Sequence, residues 1–255
     1  METLSLYVDR DSPVHRVDPI SKLLYILAAT AIPIILPSLL TAAVVLAISV
    51  ALLLLGRTFR RVIPLISVIV FVLLTILIIQ GLFRAGNVTP LFQLGSLIFY
   101  REGLLYAVRI SLRVINIMLA FAILILTTKP SDLFETLVRK GLSPRIGYVL
   151  SSVLQIIPQM QNTVGTITDA QRSRGMETEG SLAVRLRAFI PLIGPVVMSS
   201  LTQTRERSIA LEVRGFSAKG KKSFLNEEIQ EPYHRFIRWG LLLSIILALV
   251  WRVAA

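Results

Sequence analysis

The stretch VIPLISVIVFVLLTILIIQGLF, residues 62–83, holds no formal charge. Isoleucine, valine and leucine dominate it, and as a helix it rises about 33 Å. That matches the ~30 Å hydrocarbon core of a bilayer, where only a helix or a closed barrel satisfies its own backbone groups. The segment reads as a membrane span, and the rest of the chain is read outward from it.

Upstream, Arg57, Arg60 and Arg61 separate this span from a second apolar run. Leu23–Leu55 carries no charge at any position. As one helix it would be about 50 Å long, well beyond the hydrocarbon core. Pro33 and Pro37, followed by Ser38, interrupt it, and each proline removes a backbone donor. Two spans are expected, the first near Ile20–Leu36, with a tight turn at Pro37. Downstream, Arg84–Glu102 reads as a loop, with Gly86-Asn87 and Thr89-Pro90 as turn signals. A fourth span is expected from Leu104 to Thr128 and a fifth over Phe236–Ala255. The fold class is thus all-α: a polytopic membrane protein with about five transmembrane helices. The segment before Leu23 lacks an apolar stretch of signal-peptide type, so no signal peptide is expected.

Composition agrees with that class. Of 255 residues, 54% are hydrophobic and 16% charged, yet 27 Lys and Arg face 15 Asp and Glu, a net +12. The chain is too apolar for a disordered tail or a simple nucleic-acid module. With no cysteine it has no disulfide framework, thiolate zinc site or cysteine nucleophile. His15 and His234 are too far apart to form a helical metal pair.

The basic residues follow topology. Three lie in the segment through Lys22, three in Arg57–Arg61 and sixteen in Lys129–Arg238. Only Arg84, Arg101 and Arg252 fall on the other face. Positive charge marks the cytoplasmic side, so the N-terminus is expected inside and the C-terminus outside. Arg109 and Arg113 stand one helical turn apart within the fourth span. They either snorkel or pair near the outer end, where Tyr106 belongs to the aromatic belt, or bind a partner directly.

Three regions follow: 1–128 with the N-terminal segment and four spans, 129–235 as a long cytoplasmic region, and 236–255 as the last span. In the cytoplasmic region Pro130, Ser131 and Asp132 open a short helix, which Gly141 can end. Ser143-Pro144 supplies an N-cap and first-turn proline for the next. That helix carries Ile146, Val149, Leu150, Val153, Ile157, Met160, Val164 and Ile167, an apolar stripe that must be buried by something. It ends in Gln171-Arg172-Ser173-Arg174-Gly175. A second long helical segment begins near Ser181 and passes through Phe189–Leu201. That apolar patch is too short and proline-broken for a span and fits an interfacial or buried helix. The segment ends in Glu212-Val213-Arg214-Gly215-Phe216. Two amphipathic helices therefore finish in Arg-Gly, forty residues apart. Glycine permits the left-handed helix cap, and arginine suits the negative helix end. A guanidinium at a rigid tip can also bind a carboxylate on another protein bidentately.

These residues resemble the transmembrane T component of energy-coupling factor (ECF) transporters, the EcfT/CbiQ-like family of ABC-type importers of vitamins and transition metals. Four segments carry the likeness. His15-Arg16-Val17-Asp18-Pro19-Ile20-Ser21-Lys22-Leu23 is similar to the family's Asp-Pro-Arg-Thr-Lys-Leu opening, with Ile20 and Ser21 departing from it. Thr127-Thr128-Lys129-Pro130-Ser131-Asp132-Leu133 is similar to the boundary after the family's last N-terminal span. Leu142-Ser143-Pro144 with Ile157-Pro158 is the third, where Gln155 stands in place of a common Arg. The Arg-Gly helix ends are the fourth and most specific.

The resemblance implies that the long cytoplasmic helices are coupling helices. Arg172, Arg174, Gly175, Arg214 and Gly215 would dock two ABC ATPase subunits. Leu150, Val153, Ile157, Met160 and Val164 would contact a membrane-embedded substrate-binding S component or the other coupling helix. The chain would be non-catalytic and bind no cofactor or metal, with ATP and Mg on the partner ATPases. It would sit in a prokaryotic plasma membrane, contacting lipid but no nucleic acid. Gln155 is uncharged, so the resemblance supports no ion pair at that position, and Ile20 leaves the opening motif only a structural role.

Other readings are weaker. Gly215-Phe216-Ser217-Ala218-Lys219-Gly220-Lys221 fits seven positions of a P-loop, but Lys222 stands where magnesium needs Ser or Thr. Asp9, Asp11 and Asp18 have no facing acidic cluster to make a metal-dependent membrane enzyme. Lys219, Lys221 and Lys222 suit a lipid-bound scaffold, which leaves the helix tips unexplained. No aromatic-interleaved platform for nucleic acid accompanies the charge.

Overall fold

The computed structural model describes residues 7–94, 97–176, 182–218 and 232–254. In chain order its elements are α1 (Pro13–Arg16), α2 (Pro19–Ile35), α3 (Leu39–Leu55), α4 (Phe59–Phe83), β1 (Pro90–Leu94), β2 (Leu97–Tyr100), α5 (Arg101–Thr127), α6 (Pro130–Arg139), α7 (Pro144–Ser173), α8 (Leu182–Val213) and α9 (Pro232–Ala254). The protein is an all-α membrane protein. Three helices, Phe59–Phe83, Arg101–Thr127 and Tyr233–Ala254, are long and apolar enough to cross a bilayer. Helices α2 and α3 are apolar and 17 residues each, about 25 Å long.

The uncharged run from Leu23 breaks where its prolines predict. Leu36 leaves the helical region, although its N–H still reaches Ile32 O at 2.9 Å. Pro37 has no donor to continue the ladder. Ser38 is extended, and its Oγ accepts from Thr41 N at 3.1 Å, capping α3. Pro33 is instead accommodated inside α2 and buried.

The segment expected to be a loop, residues 84–102, is more ordered than that. It holds an antiparallel hairpin of β1 and β2 in which Phe92 faces Phe99. Their rings stack at 4.7 Å between centroids. The aromatic and β-branched run Ile98-Phe99-Tyr100 suits a strand, a signal outweighed in the sequence by the turn residues before it. Glu102 fastens the hairpin by accepting from Val88 N at 3.4 Å and Thr89 N at 3.3 Å. Arg84 donates to Glu102 O at 3.0 Å and lies 3.9 Å over the Tyr106 ring. The fourth span therefore starts at Arg101, earlier than its apolar residues suggest, and α9 likewise starts at Pro232.

The described residues fall into two compact units whose boundary lies within α6, after Leu137. One contains α1–α5, the hairpin and α9. Its apolar core gathers Val14, Leu53, Val62, Leu119, Ile123 and Leu126, beside a second cluster of Ile26, Ala29, Val45 and Ala120. The outward faces of α4 and α9 expose Val68, Phe71, Leu74, Leu243 and Leu247, as lipid-facing helices must. Trp239 and Trp251 are exposed twelve positions apart on α9, about 18 Å of helix rise.

Several buried polar groups of this unit are paired, whereas Ser21 Oγ, Thr58 Oγ1 and Ser111 Oγ are buried without a hydrogen-bond partner among the described residues. Asn116 on α5 is fully buried, donating to Ala29 O at 2.6 Å and accepting from Ser49 Oγ at 2.7 Å. Tyr25 shares a 2.6 Å bond with Ser49. One asparagine thus ties α2, α3 and α5, which matters where no water can substitute. The buried Lys22 ammonium donates to Thr127 O at 2.9 Å and Thr128 Oγ1 at 3.0 Å, neutralising the negative end of α5. Asp18 forms an ion pair with Arg238 of α9. His15 bonds Val8 O at 2.9 Å and Ser12 Oγ at 2.7 Å. Burial pushes its pKa below the ordinary value. The neutral ring then donates from Nε2 to the carbonyl and accepts at Nδ1.

The second unit contains α7 and α8. Gly147 lies so close to Val138 that an added Cβ would sit 2.1 Å from Val138 Cγ2. Gly141, at φ +116°, makes the turn after α6. Ser143 is the N-cap of α7 and Pro144 follows, but the Ser143 side chain makes no cap bond. The proline's fixed φ carries the start of the helix instead. The patch after Phe189 is part of one continuous α8, with Pro191 and Pro195 inside it.

Candidate functional site

Both Arg-Gly sequences end their helices in the same geometry. At the end of α7, Gly175 N donates to Arg172 O at 2.9 Å and Met176 N to Gln171 O at 3.1 Å. At the end of α8, Gly215 N donates to Glu212 O at 2.9 Å and Phe216 N to Leu211 O at 3.0 Å. Each is a Schellman motif, with the glycine at C′ and the arginine at the C-cap. Gly175 has φ +87° and Gly215 φ +70°, a region where a Cβ is strained. The two tips therefore share a backbone design residue for residue.

Arg174 and Arg214 are both exposed. Among the described residues neither guanidinium makes a hydrogen bond or ion pair. Arg172 is exposed in the last turn of α7. A helix C-terminus favours a cation, but the carbonyls it would cap are already satisfied by the glycine motif. The heads of Arg174 and Arg214 can reach outward.

The tips lie far apart. Phe216, just past α8, packs its ring 5.3 Å from Tyr148 in the first turns of α7. Arg207 donates to Gln159 Oε1 at 3.4 Å. The helices run antiparallel, so the Arg214 tip stands at the opposite end of α7 from the Arg174 tip. From Tyr148 to Arg174 the helix rises about 39 Å.

The apolar stripe is not what joins the two helices. Tyr148 and Gln159 mark the side of α7 that meets α8. Val149, Val153, Ile157 and Met160 lie on the other side and are exposed, Val149 at 56% and Ile157 at 43%. Leu150 and Val164 are half-buried. Gln155 is exposed. Helix α8 adds exposed Ile193, Val197 and Leu201. The stripe was legible as a surface needing cover; that α8 does not provide it became visible only in three dimensions.

Gly215 follows a helix rather than a strand and caps it, which removes the context a P-loop needs. Lys219, Lys221 and Lys222 lie outside the described residues. Among those residues no group of three His, Cys, Asp or Glu could hold a metal ion. Two contacts missed in the sequence, Asp18–Arg238 and Lys22–Thr127, join positions over a hundred residues apart, and no local pattern signals such pairs.

A bundle of apolar helices, carried in one chain with two long helices that present arginine tips and an apolar stripe, defines a polytopic membrane protein built to engage other proteins. The CbiQ family, described as cobalt transport protein, matches residues 10–224. The chain is 30% identical to the energy-coupling factor transporter transmembrane protein EcfT of Streptococcus equi, covering 97% of this chain and 93% of the relative. It is 32% identical to that of Bacillus selenitireducens, over 98% and 93%, and 30% identical to that of Listeria innocua, over 92% and 89%. The chain belongs to this family, the transmembrane T components of energy-coupling factor transporters.

Proposed function

We propose that this chain is the non-catalytic coupling subunit of an importer, linking two ABC-type ATPases to a separate membrane protein that binds a vitamin or transition metal. The observation that carries the proposal is the pair of Schellman tips of the same geometry, each presenting an arginine with no partner among the described residues. At about 39 Å apart they span more than the diameter of a small domain, which suits two copies of one partner better than a single contact. A bidentate guanidinium–carboxylate pair in a groove of each ATPase fits a rigid tip. ATP and Mg belong to those ATPases. The exposed stripe of α7, with Val153, Ile157 and Met160, suits the apolar surface of the S component. Closure of the ATPases would then move α7 and α8, and with them the bound S component.

Arg174→Ala together with Arg214→Ala is expected to abolish co-purification with the ATPases and substrate uptake. Buried interfacial arginines are worth about 2 kcal/mol or more each, about 30-fold in affinity per tip. Undiminished assembly and uptake in the double variant would overturn the proposal.

The placement of charge supports a cytoplasmic N-terminus in the plasma membrane. Because the chain lacks cysteine, Asn87→Cys introduces a single label site in the hairpin region. It is expected to react with an impermeant maleimide from outside intact cells. Reaction only after the cytoplasmic face is opened would reverse the topology.

A further inference from the structure

Arg109 and Arg113 occupy α5, a helix long and apolar enough to span the bilayer. Both are half-buried, and among the described residues neither has a hydrogen-bond or ion-pair partner. Two cations one turn apart repel each other, and within a span each calls for a counter-charge. Among the described residues no acidic side chain supplies it.

Their position follows from Asn116. Arg109, Arg113, Asn116 and Ala120 follow each other at spacings of four, three and four, so they share one face of α5. Asn116 on that face bonds Ala29 O of α2, which sets the axial register of the two antiparallel helices. Seven residues on from Ala29, α2 gives way to the turn Leu36–Ser38. Seven residues back from Asn116 is Arg109. Both steps are about 10 Å, so Arg109 stands at about the level of that turn and Arg113 one turn below. Helix α5 continues eight residues further to Arg101, about 12 Å. On its other side α4 accompanies it, packed at Gly103 and Gly81. The arginines therefore face the side where the neighbouring helices stop short.

Lipid headgroups follow the short helices. A hairpin of helices only about 25 Å long is matched by a locally thinner bilayer. Headgroup phosphates beside the Leu36–Ser38 turn therefore descend toward Arg109. We infer that Arg109 and Arg113 form a binding site for the phosphate of an anionic phospholipid at the α2–α3 turn. Guanidiniums one turn apart can bracket one phosphate with bidentate bonds, and two positive charges favour an anionic headgroup over a zwitterionic one. The inference is independent of the ATPase-docking proposal.

Native mass spectrometry tests it on the purified full chain, released from micelles containing phosphatidylglycerol or phosphatidylcholine. Wild type is expected to retain one more phosphatidylglycerol than R109Q/R113Q, with affinity at that site falling about tenfold or more on substitution. R252Q, at the end of α9, is expected to keep the lipid, which separates this site from general charge attraction. R109K/R113K keeps the charge but loses the bidentate fork, and should retain the lipid weakly; it serves if the Gln variant does not fold. Equal retention by wild type and R109Q/R113Q, or by wild type and R109K/R113K if the Gln variant does not fold, overturns the inference. So does displacement of the extra lipid by inorganic phosphate at equal concentration, which would make this a free-phosphate site. Loss of a membrane protein partner in R109Q/R113Q with lipid retention unchanged would assign the arginines to a partner carboxylate instead.

Discussion

Asp18→Ala is expected to lower the melting temperature of the purified protein more than any substitution at the exposed tips. The Asp18 side chain is 8% exposed and its Arg238 partner 24%. The pair joins the start of α2 to α9. Removing the carboxylate leaves a guanidinium largely out of water with no counter-charge, which costs about 3 kcal/mol. For a chain of this size that is about 6–12 °C. The fluorescence of Trp239 and Trp251 gives the readout, since both tryptophans lie on α9. The double variant Asp18→Ala/Arg238→Ala is expected to melt above the sum of the single effects, with a coupling of about 2 kcal/mol. Strictly additive losses would mean that the two groups do not interact.

Gly103→Ala is the second large effect. A Cβ at Gly103 would lie 2.2 Å from Gln80 O and 3.0 Å from Gly81 Cα. Both obstacles are backbone, so no side chain can swing aside and α4 must separate from α5. Small residues let membrane helices approach this closely, and packing is the main attraction between them in lipid. Overpacking of this kind costs about 3 kcal/mol. Gly165→Ala on α7 is the matched control. That glycine is exposed within a helix and has nothing within 4 Å of the added atom. It is expected to gain about 0.5–1 kcal/mol from reduced backbone entropy. A Gly103→Ala protein that melts like wild type would show that α4 and α5 stand further apart than this contact requires.

Asp18 and Gly103 hold the membrane bundle together, whereas Arg174 and Arg214 are exposed and can be changed without opening a core. A loss of assembly in the arginine variant with an unchanged melting temperature would therefore report recognition alone.

Much of this was legible in the residue order, for local reasons. Apolar runs such as residues 62–83 and the break at Pro37 specify spans because lipid leaves a backbone only its own hydrogen bonds. The Arg-Gly ends are local as well: a glycine at C′ and the helix turn before it define a Schellman cap. The hairpin between Arg84 and Glu102 was missed because its strands depend on pairing with each other and on Glu102 beyond them. The direction of the α7 stripe was equally hidden. Periodicity identifies an apolar face but not which neighbour meets it.

The sequence by itself determined the number and order of the apolar helices, the two arginine caps and the surplus of positive charge in one region. Each depends on residues within a turn or a span of one another. Only the tertiary structure decided that Asn116 clasps α2 and α3, that Asp18 meets Arg238, and that Tyr148 and Gln159 rather than the apolar stripe face α8. It also set Arg109 level with the α2–α3 turn. Those outcomes depend on how helices distant in sequence align along their axes, which buried hydrogen bonds and close backbone approach select and no local pattern encodes.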